Sequence, residues 1–430
     1  MKRRRALRWA AGVLMAACGL EAQPAIDISP GSGLTGGLLD LAITVSHPNG
    51  LGALDAASFR LSVNRADFTA AAIEWVLSNP AHVAVAPDGR AITLNFPALA
   101  YPFAGVAAPT TLAAAIADHA GRWSHRGVVF GLDDWGYQLQ GYESDLGELA
   151  ASAFDLLVID YSRDGTAETE FNAGQIAAVR DGIGGSKVVL AYLSIGEAES
   201  YRYYFDPDWI DPETGQPSAA APSFLDGPNS DFPDNYKVRY WMPGWRAILF
   251  GRASPGLERS YLDRILQAGF DGVYLDIIDA YETYGPDGTN LRPSAASDMA
   301  RLVLDLAEYA RRAYSRTDFI VVPQNGSGLL ERLEPGLGSE YLRAIQAIGA
   351  EDTFYFGDLE ENNPLDPQTE VIAQLRQFRS AGNLVLAIDY LTQSSKIDDF
   401  FARCEAEDWI AYVSVRDLDR LTMPQGHSPD

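Results

Sequence analysis

Phe270-Asp271-Gly272-Val273-Tyr274-Leu275-Asp276-Ile277-Ile278-Asp279-Ala280-Tyr281-Glu282 is the stretch that decides the fold. Its centre is a short apolar run with β-branched and aromatic residues, the pattern of a buried strand. The run closes on two carboxylates, Asp276 and Asp279, flanked by Tyr274 and Tyr281. In an α/β barrel the carboxyl ends of the parallel strands form the catalytic face, where charged residues are disproportionately functional. The competing explanation is a helix N-terminus, since Asp is a good N-cap. It applies more readily to Asp279 than to Asp276.

Working outward, strand-like segments fall at 127–131, 155–161, 187–195, 272–276, 319–325, 347–351, 384–390 and 409–415. Helical segments alternate with them at 172–182, 260–268, 296–314, 340–346, 367–381 and 397–406. This alternation predicts an α/β fold, a (β/α)8 TIM barrel over 127–425, with an open doubly wound sheet as the alternative. Gly182-Ile183-Gly184-Gly185 precedes a strand instead of following one, so it is no dinucleotide fingerprint. A long connection, 201–245, follows the third strand and is rich in Pro, Asp and aromatic residues. Its aromatics predict an ordered flap over the barrel mouth.

Upstream, short alternating runs at 41–45, 59–63, 82–85 and 91–96 are separated by the turns Pro48-Asn49-Gly50 and Pro87-Asp88-Gly89. They predict a small immunoglobulin-like β-sandwich over 23–106, similar to modules appended to secreted bacterial enzymes. Residues 107–126, rich in Ala with Pro109 and Thr110, are predicted to be a linker. The basic start Lys2-Arg3-Arg4-Arg5 and the apolar run 9–20 have the form of a secretory signal peptide, 1–22. Export to the periplasm, cell envelope or medium is therefore expected. Met15-Ala16-Ala17-Cys18 also resembles a lipoprotein box, which would leave a lipid anchor at Cys18. No other stretch is long and apolar enough to span a membrane. With Cys18 removed or lipidated, Cys404 has no disulfide partner and reads as a small buried hydrophobe.

The chain has 430 residues, 47% of them hydrophobic, and a formal net charge of -25. It can bury a large core, and its charge argues against nucleic acid as a partner because phosphates would be repelled. The same charge suits a polycationic substrate, or simply an acidic soluble surface.

Absence narrows the chemistry. The histidines are His47, His82, His119, His125 and His427, so the barrel holds none between Arg126 and Gly426. That excludes a Ser-His-Asp triad and a His-ligated zinc or iron site there. Lys187, Lys237 and Lys396 are not at strand carboxyl ends, where a Schiff base would form. What the strand ends offer is carboxylates, aromatics and amides. These are Asp133, Asp134, Trp135 and Tyr137, then Asp160 and Tyr161, then Tyr192, Ser194 and Glu197. Asp276 and Asp279 follow, then Gln324 and Asn325, Glu351 and Asp352, Asp389 and Tyr390, and Ser414 and Arg416.

A mouth ringed by acids and rings suits glycoside cleavage, in which one carboxylic acid protonates the leaving oxygen and another carboxylate attacks or activates water. Structural roles compete at several positions. Asp160 and Asp389 could cap helices, Gln324 and Asn325 could satisfy loop backbone, and Tyr192 and Tyr390 could pack the barrel top. Carboxylates alone could hold Mg²⁺ or Ca²⁺, but no spacing matches a Ca²⁺ loop, and no metal or other cofactor is predicted.

Four segments, 190–199, 269–276, Gln324-Asn325-Gly326 and 347–355, together resemble glycoside hydrolase family 114, the endo-α-1,4-polygalactosaminidase-like barrels. The resemblance covers roughly Gly127 to Leu421. It implies that Asp276 is the nucleophile and Glu351 the general acid/base of a retaining mechanism, which would need the carboxyls roughly 5–5.5 Å apart. It further implies that Asp160, Tyr192, Glu197, Gln324, Asn325 and Tyr390 bond sugar hydroxyls or amines. Asp134, Trp135, Asp279, Tyr355 and Asp389 complete the predicted substrate-binding set. The implied substrate is an α-linked amino-sugar polymer of the galactosaminogalactan or polygalactosamine kind. Two other readings compete: a non-catalytic polysaccharide-binding envelope protein on a degenerate barrel, and a carboxylate-metal hydrolase.

Overall fold

Alternating apolar residues near the start of the chain pair into two antiparallel sheets. Their strands are β1 (Ala25–Ser29), β2 (Leu41–Ser46), β3 (Leu54–Val63), β4 (Ala66–Asp67), β5 (Val83–Val85), β6 (Ala91–Phe96), β7 (Thr110–Asp118) and β8 (Trp123–Phe130). The hydrogen-bonded orders are β1-β2-β6-β5 and β4-β3-β7-β8. Ile26, Ile43 and Phe96 from one sheet and Leu61, Leu112 and Val128 from the other close a single small core. In this computed structural model the described residues are 23–29, 31, 40–97, 109–142, 146–251 and 258–429. The predicted signal peptide and the anchor residue Cys18 lie outside them.

The stretch predicted as a linker, 107–126, instead supplies β7 and the start of β8, and 127–131, predicted as the first barrel strand, ends β8. The reason is burial. From Leu112 to Asp118 every residue of β7 is covered, so small alanines fit where larger side chains would not. The Ala run reflects tight packing, not a spacer. On the far side, Arg126 of β8 is buried and donates to the Leu342 carbonyl at 2.9 Å, tying this domain to the barrel. Arg65 reaches Asp271 at 3.3 Å, at the foot of the strand that ends in Asp276.

The second domain is the predicted mixed α/β fold. Its strands are β9 (Trp135–Gln138), β10 (Leu156–Ile159) and β11 (Val188–Ser194), then a three-stranded antiparallel insert of β12 (Glu197–Glu199), β13 (Leu225–Pro228) and β14 (Asn235–Val238). β15 (Gly272–Asp276), β16 (Ile320–Pro323), β17 (Ala347–Glu351), β18 (Leu384–Tyr390) and β19 (Ile410–Ser414) follow. Strands β9, β10, β11, β15 and β16 pair in parallel, as do β17, β18 and β19. A parallel bridge between Gln324 and Gly349 joins β16 to β17. The Trp135 indole donates to the Ile410 carbonyl at 3.2 Å, across the seam between β9 and β19. Eight parallel strands thus close in chain order into a TIM-like barrel, with helices between them.

Local signals explain how the chain enters its key strand. Ser260 caps the helix Tyr261–Ala268 in a reciprocal bond with Asp263, and Gly269 ends it at φ 84°. That left-handed cap, free of a Cβ penalty, turns the chain straight into β15. Each residue of β15 up to Leu275 is buried, and only Asp276 emerges.

The barrel interior is filled, not hollow. Trp135, fully buried at the start of β9, stacks on Tyr137 at 6.0 Å and meets Tyr274 at 6.1 Å and Tyr412 at 5.6 Å between ring centroids. Among the described residues no helix is long and apolar enough to cross a membrane.

Candidate active site

The parallel register puts the strand ends level. Tyr192 pairs with Tyr274, and Ser194 with Asp276, so residues two apart on each strand share the interior-facing side. The Tyr192 hydroxyl, buried in this layer, donates to one Asp276 oxygen at 2.7 Å. The backbone N–H of Ile277 donates to the other oxygen at 2.7 Å. Ile277 sits at φ 59°, a left-handed conformation that a β-branched residue adopts only under strain. The chain accepts that strain immediately beyond Asp276. Gly196 makes room for it, because a Cβ there would lie 2.3 Å from the Ile277 carbonyl oxygen.

Glu351 ends β17 and is held as firmly. The Tyr390 hydroxyl donates to its Oε1, and the Asn325 amide donates to its Oε2 at 3.1 Å. Asn325 also accepts from the Glu351 backbone N–H at 3.2 Å, so one amide fixes both ends of the residue. Tyr390 is itself covered by the Arg416 guanidinium, 3.7 Å from its ring centre, and Arg416 grips Asp352 in a two-pronged ion pair at 2.8 and 3.0 Å.

Asp276 and Glu351 feel each other. Burial, then the Glu351 charge, pushes the Asp276 carboxyl up to about 8 against bonds from Tyr192 and Ile277 that pull it down. Two carboxylates sharing a desolvated space thus favour a proton on Asp276 well above the usual carboxylate range. Asp279 stands exposed at the N-terminus of the helix Ala280–Tyr284. Partial desolvation among the loops of the mouth, and then Glu282, raise its carboxyl above the ordinary value.

The remaining predicted residues separate. Glu197 is buried on β12 and clamped by the side-chain amides of Asn229 at 3.0 Å and Asn235 at 3.3 Å. Burial raises its carboxyl, with Glu199 and Asp279 adding to the shift. Gln324 is buried and accepts from the Tyr137 hydroxyl at 3.3 Å. Asp160 belongs to a buried ion triad. Arg202 donates to both of its oxygens at 2.8 and 2.7 Å and to Glu199 at 2.7 Å. The Arg202 guanidinium also lies 5.9 Å from the Tyr192 ring centre, beside the donor to Asp276.

Asp160 is thus spent on Arg202 and not on sugar, and four more predicted contacts need correction. Trp135 opens β9, at the end of the barrel opposite the mouth, and its indole is spent on Ile410. Asp134 precedes it and accepts from the Asp155 backbone N–H at 2.9 Å. Both were misplaced because the first barrel strand starts later than its sequence suggested. Asp389 is fully buried and accepts from the backbone N–H groups of Thr353 and Tyr355 at 3.0 Å each, which makes it the anchor of the loop after β17. The Tyr355 hydroxyl turns away to Asp399 at 2.8 Å.

Sequence reasoning missed Arg202 and Glu199 as a pair, although their i, i+3 spacing in a flap after a strand end was visible. It also gave Tyr137 and Tyr274 no role. Tyr274 is fully buried, and its hydroxyl has no protein partner among the described residues. A Cβ at Gly349 would lie 2.0 Å from that hydroxyl oxygen, so β17 needs glycine there. Among the described residues no cluster of three or more His, Cys, Asp or Glu side chains is arranged to hold a metal ion.

The chain is similar to several known proteins. An uncharacterised protein of Methanocaldococcus jannaschii, MJ1477, is 34% identical over 296 residues, covering 67% of this chain and 77% of its own. An uncharacterised Thermotoga maritima protein is 31% identical, covering 71% and 88%, and one from Deinococcus radiodurans is 33% identical, covering 70% and 86%. Among solved structures, the chain is similar to an α-galactosidase from Thermus thermophilus at 14% identity and a TM-score of 0.38, over 93% of this chain and 90% of that one. A ruminal GH26 endo-β-1,4-mannanase aligns at 11% identity and a TM-score of 0.37, over 66% and 58%. The profile of Glycoside-hydrolase family GH114 matches residues 114–428, and the chain belongs to that family of glycosidases.

Proposed function

We propose that this glycosidase is an exported, endo-acting enzyme that cleaves α-linked amino-sugar polymers of the polygalactosamine kind with retention. One observation carries the reading. Asp276 and Glu351 close the fourth and sixth barrel strands at one mouth, and each carboxylate is held by a tyrosine hydroxyl and one further donor. In the proposed reaction the proton passes from Asp276 to Glu351 as a cationic sugar binds, and the ionised Asp276 then attacks the anomeric carbon while Glu351 gives that proton to the departing glycosidic oxygen. The glycosyl ester on Asp276 is then hydrolysed by water whose proton returns to Glu351. Tyr192 and the Ile277 N–H steady the attacking oxygens, and Tyr390 and Asn325 aim Glu351.

The amino-sugar preference follows from electrostatics. Two carboxylates crowded in a partly desolvated site repel each other, and a sugar ammonium brought between them would relieve that repulsion and favour an ionised Asp276. Asp279, exposed at the mouth, adds a carboxylate for a further amine. The basic start and apolar run of residues 1–22 support export, by soluble release or with lipid on Cys18. The orders β1-β2-β6-β5 and β4-β3-β7-β8 support an immunoglobulin-like front domain, being the two sheets of that Greek key with one added edge strand.

The test is digestion of purified exopolysaccharides by the wild type, Asp276→Asn and Glu351→Gln, read as new reducing ends. Hydrolysis of a de-N-acetylated galactosamine polymer by the wild type alone, with all three proteins folded, supports the reading. Equal binding of that polymer by all three with no hydrolysis of any polymer would instead favour a binding protein on a degenerate barrel.

A further inference from the structure

Large apolar side chains of the barrel are nearly all covered, and most of those left exposed share one face. Tyr201, Phe232, Leu291, Phe356, Leu359 and Leu365 are exposed on loops at the mouth, against Ile183 on the opposite face and Met423 near the C-terminus. Single exposed apolar residues are ordinary on any surface. The gathering of six of them on loops at the mouth, with every exposed aromatic ring among the described residues of the barrel included, is not.

Two of these rings are mounted on braced backbone. Phe232, 63% exposed, caps the hairpin between β13 and β14. The hairpin is closed by Asn229 N–H to the Asn235 carbonyl at 2.7 Å and by Asn235 N–H to the Phe232 carbonyl at 2.9 Å. The side chains of those same asparagines clamp Glu197, so the tip is tied directly to a carboxylate of the mouth. Phe356, 49% exposed, lies five positions beyond Glu351 on the segment whose backbone Asp389 anchors. Exposed acidic residues lie close by in sequence: Asp231 and Asp234 flank Phe232 on the hairpin, and Asp358 and Glu360 follow Phe356 on its loop. One platform thus follows the third barrel strand and the other the sixth.

We propose that Phe232 and Phe356 are outer platforms of a groove that carries a polymer of free-amine sugars across the mouth, through the space between Asp276 and Glu351. The inference rests on the function proposed above and extends it to sugars beyond the cleaved bond. An aromatic face takes the apolar face of a pyranose, and the neighbouring carboxylates take its ammonium. This chemistry selects against N-acetylated units at both ends of the groove.

Full-length Phe232→Ala, Phe356→Ala and the double variant, with Ile183→Ser on the opposite face as control, provide the test. KM and kcat are measured on long de-N-acetylated galactosamine polymer and on a short aryl galactosaminide. Binding of the polymer is measured separately in the Glu351→Gln background. Each Phe variant is expected to raise the polymer KM roughly three- to tenfold more than the short-substrate KM, with kcat little changed. Re-acetylating the polymer should erase the difference, and Ile183→Ser should behave as wild type. Equal effects on both substrates, or none on the polymer, would overturn the proposal while leaving the hydrolase reading intact. If the wild type hydrolyses nothing but Glu351→Gln binds polymer more tightly than its Phe variants, the platforms stand and the hydrolase reading falls.

Discussion

Asp276→Asn should stabilise the protein, and by an amount that grows with pH. The carboxyl goes from an ordinary value of 3.8 to about 8 in the folded chain, so folding takes up a proton between those values. The sign follows. Below 3.8 both states are protonated and the group contributes nothing. Through the window up to about 8 the unfolded chain gains from ionising while the fold does not, so stability falls as pH rises. At roughly 1.4 kcal/mol per pH unit the full shift sets a ceiling of about 6 kcal/mol. The recovered part is smaller, about 1–3 kcal/mol, because Asp276 keeps a solvent-facing edge and asparagine bonds less well to Tyr192. Urea denaturation of the wild type and variant at pH 5, 7 and 9 measures it. The variant should be nearly level with the wild type at pH 5 and clearly more stable at pH 9. A pH-independent difference, or a variant less stable throughout, would refute the claim that crowding with Glu351 holds the proton on Asp276.

Further consequences concern the same residues. The acidic limb of kcat/KM, which reports the free enzyme, should lie near pH 8, and that of kcat should lie lower once a cationic substrate is bound; coincident limbs below pH 5 would contradict this. Tyr192→Phe removes a bond to the ionised form, so it should move the free-enzyme limb upward and cut kcat/KM at neutral pH about tenfold. Arg202→Met strands Asp160 and Glu199 without their cation and should cost about 3–5 kcal/mol in denaturant unfolding; a loss under about 1 kcal/mol would mean the triad contributes little. Gly349→Ala should cost about 1–3 kcal/mol through its clash with Tyr274, and adding Tyr274→Phe should recover part of it.

Much of the barrel was legible because strands buried on both faces read as continuous apolar runs. Segments 272–276, 347–351 and 384–390 match β15, β17 and β18 residue for residue. The first strand was not legible. Val128-Val129-Phe130 and Trp135-Gly136-Tyr137 are two equally apolar runs a few residues apart, and only the hairpin pairing of β7 with β8 assigns the earlier one to the front domain. That single slip carried Asp134 and Trp135 to the wrong end of the barrel.

For the site, position was readable but partnership was not. A carboxylate at a strand end can face the mouth, as Asp276 and Glu351 do, or turn back to hold loop backbone, as Asp389 does. Nothing in Ala387-Ile388-Asp389-Tyr390 distinguishes these outcomes. The three backbone donors come from a loop more than thirty residues earlier. Arg202 likewise lies far along the chain from Asp160, and only the folded flap brings them together.

The most direct measurement is covalent trapping. A fluorinated galactosaminyl fluoride, which forms the glycosyl ester readily and releases it slowly, is incubated with the protein, and the digest is mapped by mass spectrometry. One added glycosyl group on Asp276, absent in Asp276→Asn, is the predicted result. A label on Glu351, or turnover of the reagent with no labelled carboxylate, would contradict the account.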